Sequence, residues 1–338
     1  MGNYNQNSGY GQALVNAVRA QIPFFGKIFV VFDSDDVGDE NYNRLQNLYT
    51  PDPDGIVRFY TSLSDAYNAT TSNNNDVIVI DGDGTHTLTT KITVSKNRVH
   101  FVSMEYLAGI RKWQGQSTKI SIGGSTAGND ACIENTGVRN TFRGLRFWSS
   151  NSSTSALYAF KDGGEFTYMD CCHMVRSGVA TTTTAADMLC NGDSSHYKRC
   201  TFGITSLAIT ANGNRPCVDF GRETITGKVA RDTIFEDCVF MRRGNDSDNS
   251  FMYGDGATDI ERMCLILNPI FWQDALASAN MDECVSFTAQ TNGSVLIMNP
   301  GATGTPASIS TSTGVFVTTG SMDGTNPEAK IGIAIQCT

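Results

Sequence analysis

Charge is what this 338-residue chain is short of: Asp, Glu, Lys and Arg together make up 17% of it, below the usual quarter of a globular protein. So few charges leave little material for long solvated helices. The 33 glycines, with abundant Ser, Thr and Asn, suit a β-rich protein with many turns instead. Basic clusters are missing too. No block of Lys or Arg forms a phosphate-binding stripe, and the net charge is −9, which argues against direct nucleic-acid binding. An acidic surface favours solubility, or docking onto a basic partner. No apolar run reaches the length of a membrane span, so no membrane partner is expected. The N-terminal MGNYNQNSGYGQ lacks the charged-then-apolar layout of a signal peptide. On that ground the ten cysteines are not read as a secreted disulfide framework, and they need another explanation.

What is present is organised in three parts. Residues 1–55 read as an N-terminal arm and connector. Residues 1–12 are polar and Gly-rich, ALVNAVRA (Ala13–Ala20) reads as two short helical turns before Pro23, and GKIFVVFDS (Gly26–Ser34) reads as a buried strand. Residues 56–299 open with a capping-box pattern, Ser62 to Asp65, ahead of a short helix with Ala66, Tyr67 and Ala69. The compact apolar strand DVIVID (Asp76–Asp81) and a long series of short strands separated by Gly, Asn, Asp and Thr follow. Residues 300–338 are Thr/Ser/Gly-rich but contain the strand-like GVFVTT and KIGIAIQC, and read as a β-rich cap or oligomerisation segment.

One short pattern recurs. FRGLRF (Phe142–Phe147), YMDCCH (Tyr168–His173), YKRCTF (Tyr197–Phe202), FEDCVF (Phe235–Phe240) and MDECVS (Met281–Ser286) share a large apolar residue, two charged or turn-prone positions, and then Cys or Leu. With Leu145, Cys171, Cys200, Cys238 and Cys284 as anchors, the spacing is uneven, as a solenoid with loops of variable length allows. Alternate side chains of a strand share a face, so Cys238 and Phe240 point inward and Val239 outward, while Phe235 needs a bend at Glu236–Asp237 to turn inward as well. Such bends join the faces of a parallel β-helix. Stacked coils then align the five anchors in one internal ladder beside Phe147, Phe202 and Phe240. The cysteines become reduced core thiols; a disulfide between neighbouring rungs is the alternative.

Two resemblances add to this reading. The segment DPDGIVRFYTSLSDAYNATTSNNNDVIVIDGDGTHTLTTKITVSKNRVHFVSM resembles the first coils of pectate-lyase-like right-handed β-helices, in which a helix covers the open end. It implies an all-β, right-handed parallel β-helix over roughly residues 56–290. The opening NYNQNSGYGQALVNAVRAQIPFFGK, with PDPDGIVRFY and NNNDVIVI, resembles uncharacterised virion structural proteins of tailed bacteriophages of aquatic origin. That resemblance implies a virion component made in the bacterial host cytoplasm.

Candidate chemistry is sparse. Glu236, Asp237, Asp282 and Glu283 occupy matching places on two anchors, with Asp170 earlier, and a stacked acid pair would suit a sugar site, since glycoside hydrolysis needs two carboxyls at a fixed separation. The same slots hold Lys198 and Arg199, or Arg143 and Gly144, in other units, as solvated bend positions would. Cys171, Cys172 and His173 raise a metal site, but neighbours in a strand point to opposite faces and zinc ligands are usually spaced as CxxC or HxxxH. The run Asp81–Gly84 reads as a turn, because the later ligands of a calcium loop are absent. Trp113, Trp148 and Trp272 fall near strand ends or loops, where they would form sugar platforms or pack between subunits. No catalytic, cofactor-binding or metal residue is assigned. The expectation is a non-enzymatic virion protein, a decoration or cement protein whose residues 1–31 contact the major capsid protein at the capsid surface, and a homotrimer joined through residues 314–337. The alternative is a tail-fibre or tailspike-like protein that binds or cleaves a host surface polysaccharide.

Overall fold

Four of the five recurrences, all but MDECVS, mark the same corner of successive coils of a solenoid, and each complete coil places one strand in each of three sheets. In the computed structural model, the described residues are 9–33 and 58–318, apart from 83, 110–117, 155, 178–184, 210–214, 222–224, 226, 245–246, 276–280 and 305. Among them 26 strands form sheets of eleven, eight and seven strands, called here sheets 1, 2 and 3. The pairings are parallel, and sheet neighbours come from consecutive coils. This is the expected right-handed parallel β-helix.

The corner between sheets 1 and 2 shows how the sequence makes the coil. Gly144, Cys171, Arg199, Asp237, Asn268 and Asn299 each have positive φ, between 48° and 66°. One left-handed residue reverses the chain direction and keeps both flanking apolar residues inside. Phe235 precedes the bend at Asp237 and Cys238 follows it, and both are fully buried. Asp, Asn and Gly tolerate this conformation best. Arg199 tolerates it while its guanidinium grips Asp170, through Nε to Oδ1 at 2.8 Å and through Nη2 to Oδ2.

The inner ladders largely follow the expected rows. In sheet 2, Phe147, Met174, Phe202, Phe240 and Phe271 stack in register. Phe240 lies 5.0 Å from Phe202 and 5.2 Å from Phe271. The cysteine ladder needs two corrections. Cys171 occupies the bend and packs outside the coil with Val102 and Tyr106, so the rung belongs to Cys172, whose thiol donates to the Phe142 carbonyl at 3.3 Å. Cys284 opens a strand of sheet 3, where it lies in a separate inner row beside Phe251, with Cys217 and Cys132 further along; the slot after Cys238 in the first ladder belongs to Pro269. All nine described cysteines are buried and free.

Three helices cover the start of the solenoid: α1 (Gly9–Gln21), α2 (Leu63–Ala69) and α3 (Met104–Leu107). In α2 the Ser62 hydroxyl accepts from the Asp65 amide, and Leu63, Ala66 and Tyr67 close the core of the first coil, as expected from the capping box. The N-terminal region departs from the expected arm. Residues 9–12 are helical, and the strand Ile28–Val31 is built into sheet 1 between Phe59–Tyr60 and Asp76–Ile80. Val18 of α1 and Ile22 just after it lie on the outer face of sheet 1 against Val30, Val77 and Val79, and Arg143 Nη1 donates to the Gln21 carbonyl at 2.9 Å. At the other end, Gly301–Thr303 and Val315–Thr318 continue sheets 2 and 1, so coil strands extend beyond residue 299. Residues 1–8 and the strand expected at KIGIAIQC lie outside the described residues.

Candidate functional site

The coils are filled largely by apolar ladders, which leaves the outer faces as the surface open to a ligand. On sheet 2 the outward residues of successive strands form two rows in register. One runs Lys119, Arg146, His173, Thr201, Val239, Ile270; the other runs Ser121, Trp148, Val175, then Met241, Trp272, Thr303. The middle of this face is closed, with His173, Val175, Thr201 and Met241 all buried. His173 Nε2 donates to the Gly203 carbonyl at 2.8 Å. Burial lowers its imidazole to about 4, against that hydrogen bond, which acts the other way.

The two open ends differ. At the N-terminal end Trp148 is occupied by its own neighbours: the Arg146 guanidinium lies 4.4 Å and the Lys119 ammonium 5.3 Å from the ring centroid. At the C-terminal end a cleft of about 660 Å³ is lined by Asp237, Val239, Ile270, Trp272 and Thr303. Ile270 is 46% and Trp272 39% exposed, a high value for large apolar side chains next to each other. Gly301 stands beside Ile270 in the next coil and contributes no side chain, which leaves that flank open. A polar rim runs along the corner, where Asn268 Nδ2 donates to Asp237 Oδ1 at 3.0 Å and Asn299 Nδ2 to Asn268 Oδ1 at 3.2 Å. An apolar platform with a few fixed polar groups at its edge, in a cleft of several hundred Å³, is the usual form of a small-ligand subsite.

The candidate acid pair does not assemble. Glu236 faces out of sheet 1, where Lys198 Nζ at 2.6 Å and His196 Nε2 at 2.9 Å close it; the Lys198 contact holds its carboxyl below the ordinary value. Asp170 is buried. Burial opposes its ionisation, but hydrogen bonds from Arg199 and the Tyr106 hydroxyl (2.6 Å) outweigh it and keep its carboxyl low. Asp282 and Glu283 lead into sheet 3, not the corner that carries Glu236 and Asp237. Glu283 accepts from the Thr311 amide at 2.7 Å and from the Ser312 hydroxyl at 3.3 Å, so it ties down the last described coil. With Asp248 and Tyr253 these two acids line a polar cleft of about 400 Å³.

The cysteine–histidine triplet separates as the alternation requires: Cys171 at the bend, Cys172 inside and His173 outside. Among the described residues no three His, Cys, Asp or Glu side chains gather around a common point for a metal ion. At Asp81 the chain turns, with the Gly82 amide donating to Asp81 Oδ1 at 2.8 Å. Trp113 lies outside the described residues. No helix among the described residues is long and apolar enough to cross a membrane.

Sequence reading missed a buried charged corner between sheets 2 and 3. Arg176 donates to the carbonyls of Ala156 (2.6 Å), Asn151 (2.7 Å) and Ser149 (3.3 Å), and Arg242 Nη2 pairs with Asp187 Oδ2 at 2.9 Å. Arg176 and Arg242 follow the inward parity of their strands, two residues after Met174 and Phe240, and that parity is the signal that would have found them. Their hydrogen bonds join three segments of backbone, a structural task.

No protein-family model matches this sequence, and no curated protein matches it. Solved structures do share the fold. Pectin methylesterase from Aspergillus niger is 13% identical, with a TM-score of 0.50 over 86% of this chain and 83% of that one. Pectate lyase Pel9A is 13% identical, with a TM-score of 0.49 over 82% and 63%. Pectin methylesterase from carrot is 14% identical, with a TM-score of 0.44 over 90% and 93%. Likeness at this level is likeness of fold. The chain is a right-handed parallel β-helix.

Proposed function

We propose that this protein binds an extended surface polysaccharide at the C-terminal end of the outer face of sheet 2, with Trp272 as the stacking platform. The observation that carries this reading is the exposed Trp272–Ile270 surface in a cleft edged by Asp237 and Thr303. The C–H face of a pyranose packs on an indole ring, while its hydroxyls need donors and acceptors at the rim; a rigid amphipathic ring supplies the first at little entropic cost. Among the described lining residues Asp237 is the one carboxylate, and glycoside hydrolysis uses two. The reading is therefore binding without cleavage.

A tail-fibre or tailspike-like role joins this reading to the N-terminal resemblance to virion proteins. Head decoration, with the major capsid protein as partner, rests on that resemblance alone. The test is retention of the purified protein by a panel of bacterial capsular and O-antigen polysaccharides in affinity electrophoresis. Retardation by at least one, with no release of reducing ends, is expected. Mobility unchanged by every polysaccharide would refute binding, and released oligosaccharide would refute binding without cleavage.

A further inference from the structure

Strands of a solenoid with one face in water should alternate apolar and polar, whereas strands that are apolar on both faces belong to sheets covered on both sides. Sheet 1 obeys the first rule in its central coils. There the outward residues are Tyr168 and His196 in one row and Arg143, Asp170, Lys198 and Glu236 in the next. It obeys the second rule at its start, where the outward Val77, Val79 and Val102 are covered by α1 and α3.

The last coils break the pattern. Ile234, Leu265, Leu296 and Phe316 stand in register in one outward row, and Leu267 and Met298 in the adjoining one. All six are partly exposed, while the residues between them, Cys264, Ile266, Val295 and Ile297, fill the core. These strands are apolar on both faces, with solvent on one. A contiguous patch of this kind marks an interaction surface.

We infer that this face of sheet 1 packs against a second copy of this chain. Charge favours an identical copy as the occupant. The protein carries a net charge of −9, so copies repel unless they meet where no net charge is displayed. The six apolar residues carry none, and the polar run that leads into Leu267 and Met298 alternates Arg143, Asp170, Lys198, Glu236, with its acids closed by Lys198, His196 and Arg199. The acids beside the rows are already paired with Lys198, His196 and Arg199, so a strongly basic partner gains little here. When the same apolar rows meet in both copies the contact is isologous, two copies turning this face to each other about a two-fold axis. Of the segments expected to form subunit contacts, Val315–Thr318 ends this row through Phe316, and residues 330–337 lie outside the described residues.

The test is the mass of the full-length protein in sedimentation equilibrium at micromolar concentration, for wild type and two variants. The charged variant is Leu265→Glu with Leu296→Glu. Leu265→Thr with Leu296→Thr keeps strand propensity without charge, so a folding failure of the first leaves the question answerable. Wild type is expected at a multiple of 36.5 kDa. The Glu pair is expected as a monomer, and the Thr pair should need about tenfold more protein to associate, both with wild-type circular dichroism. A wild type that stays monomeric overturns the inference, as does an oligomer whose mass neither variant changes. A monomer whose residues 263–298 gain exchange protection only with a different protein assigns the face to that partner and also overturns it.

Discussion

Replacing Phe240 with Ala probes the aromatic ladder at its centre. Phe240 is fully buried, with its ring 5.0 Å from Phe202 at an interplanar angle of 9° and 5.2 Å from Phe271 at 28°. Phe235 packs across the coil at 6.1 Å. Its neighbours are held by ladder hydrogen bonds on both sides, so the cavity collapses little. Truncating a buried Phe costs about 3–5 kcal/mol, and two stacked contacts at roughly 0.5–1.5 kcal/mol each place this site in the upper half of that range. Urea unfolding followed by circular dichroism reads the loss. With an m-value of roughly 3 kcal/mol/M for a chain of this size, the midpoint should fall by about 1.5 M. Phe166→Ala is the control, because Phe166 is 51% exposed and touches Arg139 through a ring–cation contact, worth about 0.5–1 kcal/mol. A Phe240→Ala shift no larger than the control's would refute the ladder as the source of stability.

Thiol reagents should label the native protein slowly, since burial pushes the Cys200 thiol well above its ordinary value; rapid reaction at Cys200 or Cys238 would contradict the stacked core. Acid should destabilise the fold through His173. Burial holds its folded-state value near 4 against an ordinary 6.5, so the unfolded chain takes up the proton first, and stability present above pH 6.5 is lost as pH falls toward 4, by about 3 kcal/mol. His173→Gln should flatten that limb of the pH–stability curve, and an unchanged slope would place the loss elsewhere. Glu236→Gln with Asp282→Asn should leave folding and polysaccharide retention intact, at a cost of about 1 kcal/mol or less for the exposed ion pairs of Glu236; lost retention would move the site to these acids. Deleting residues 1–21 should lower the melting temperature or cause aggregation, because α1 covers Val77 and Val79; a soluble truncated protein of unchanged stability would show that α1 is dispensable.

The solenoid was legible because core demands repeat while loops vary. FEDCVF contains the whole corner: an inward Phe, an outward acid, one left-handed Asp, then Cys and Phe inside. Register was harder. In YMDCCH either cysteine suits a buried slot, and only the one-residue length of the bend places Cys171 outside and Cys172 in the ladder. MDECVSF reads like FEDCVF because any strand that starts after a turn repeats the same local chemistry. Which sheet it joins depends on the position in the coil, and short-range patterns do not carry that. Asp282 and Glu283 were paired with Glu236 and Asp237 for the same reason. Trp272 and Trp148 look alike in the sequence, since the open flank of the Trp272 cleft depends on Gly301 of the following coil. In MCLIL and SVLIM nearly every residue is apolar, so the segments themselves do not tell which residues face out; the register with neighbouring coils does.

The measurement that bears most directly on the proposed function is a titration of wild type, Trp272→Ala and Trp148→Ala with a retained polysaccharide, followed by calorimetry. Trp272→Ala should weaken binding about tenfold or more, a loss of ~1.4 kcal/mol, with unchanged thermal stability, and Trp148→Ala should bind as wild type does. Equal affinity of Trp272→Ala and wild type would contradict the assignment of the site.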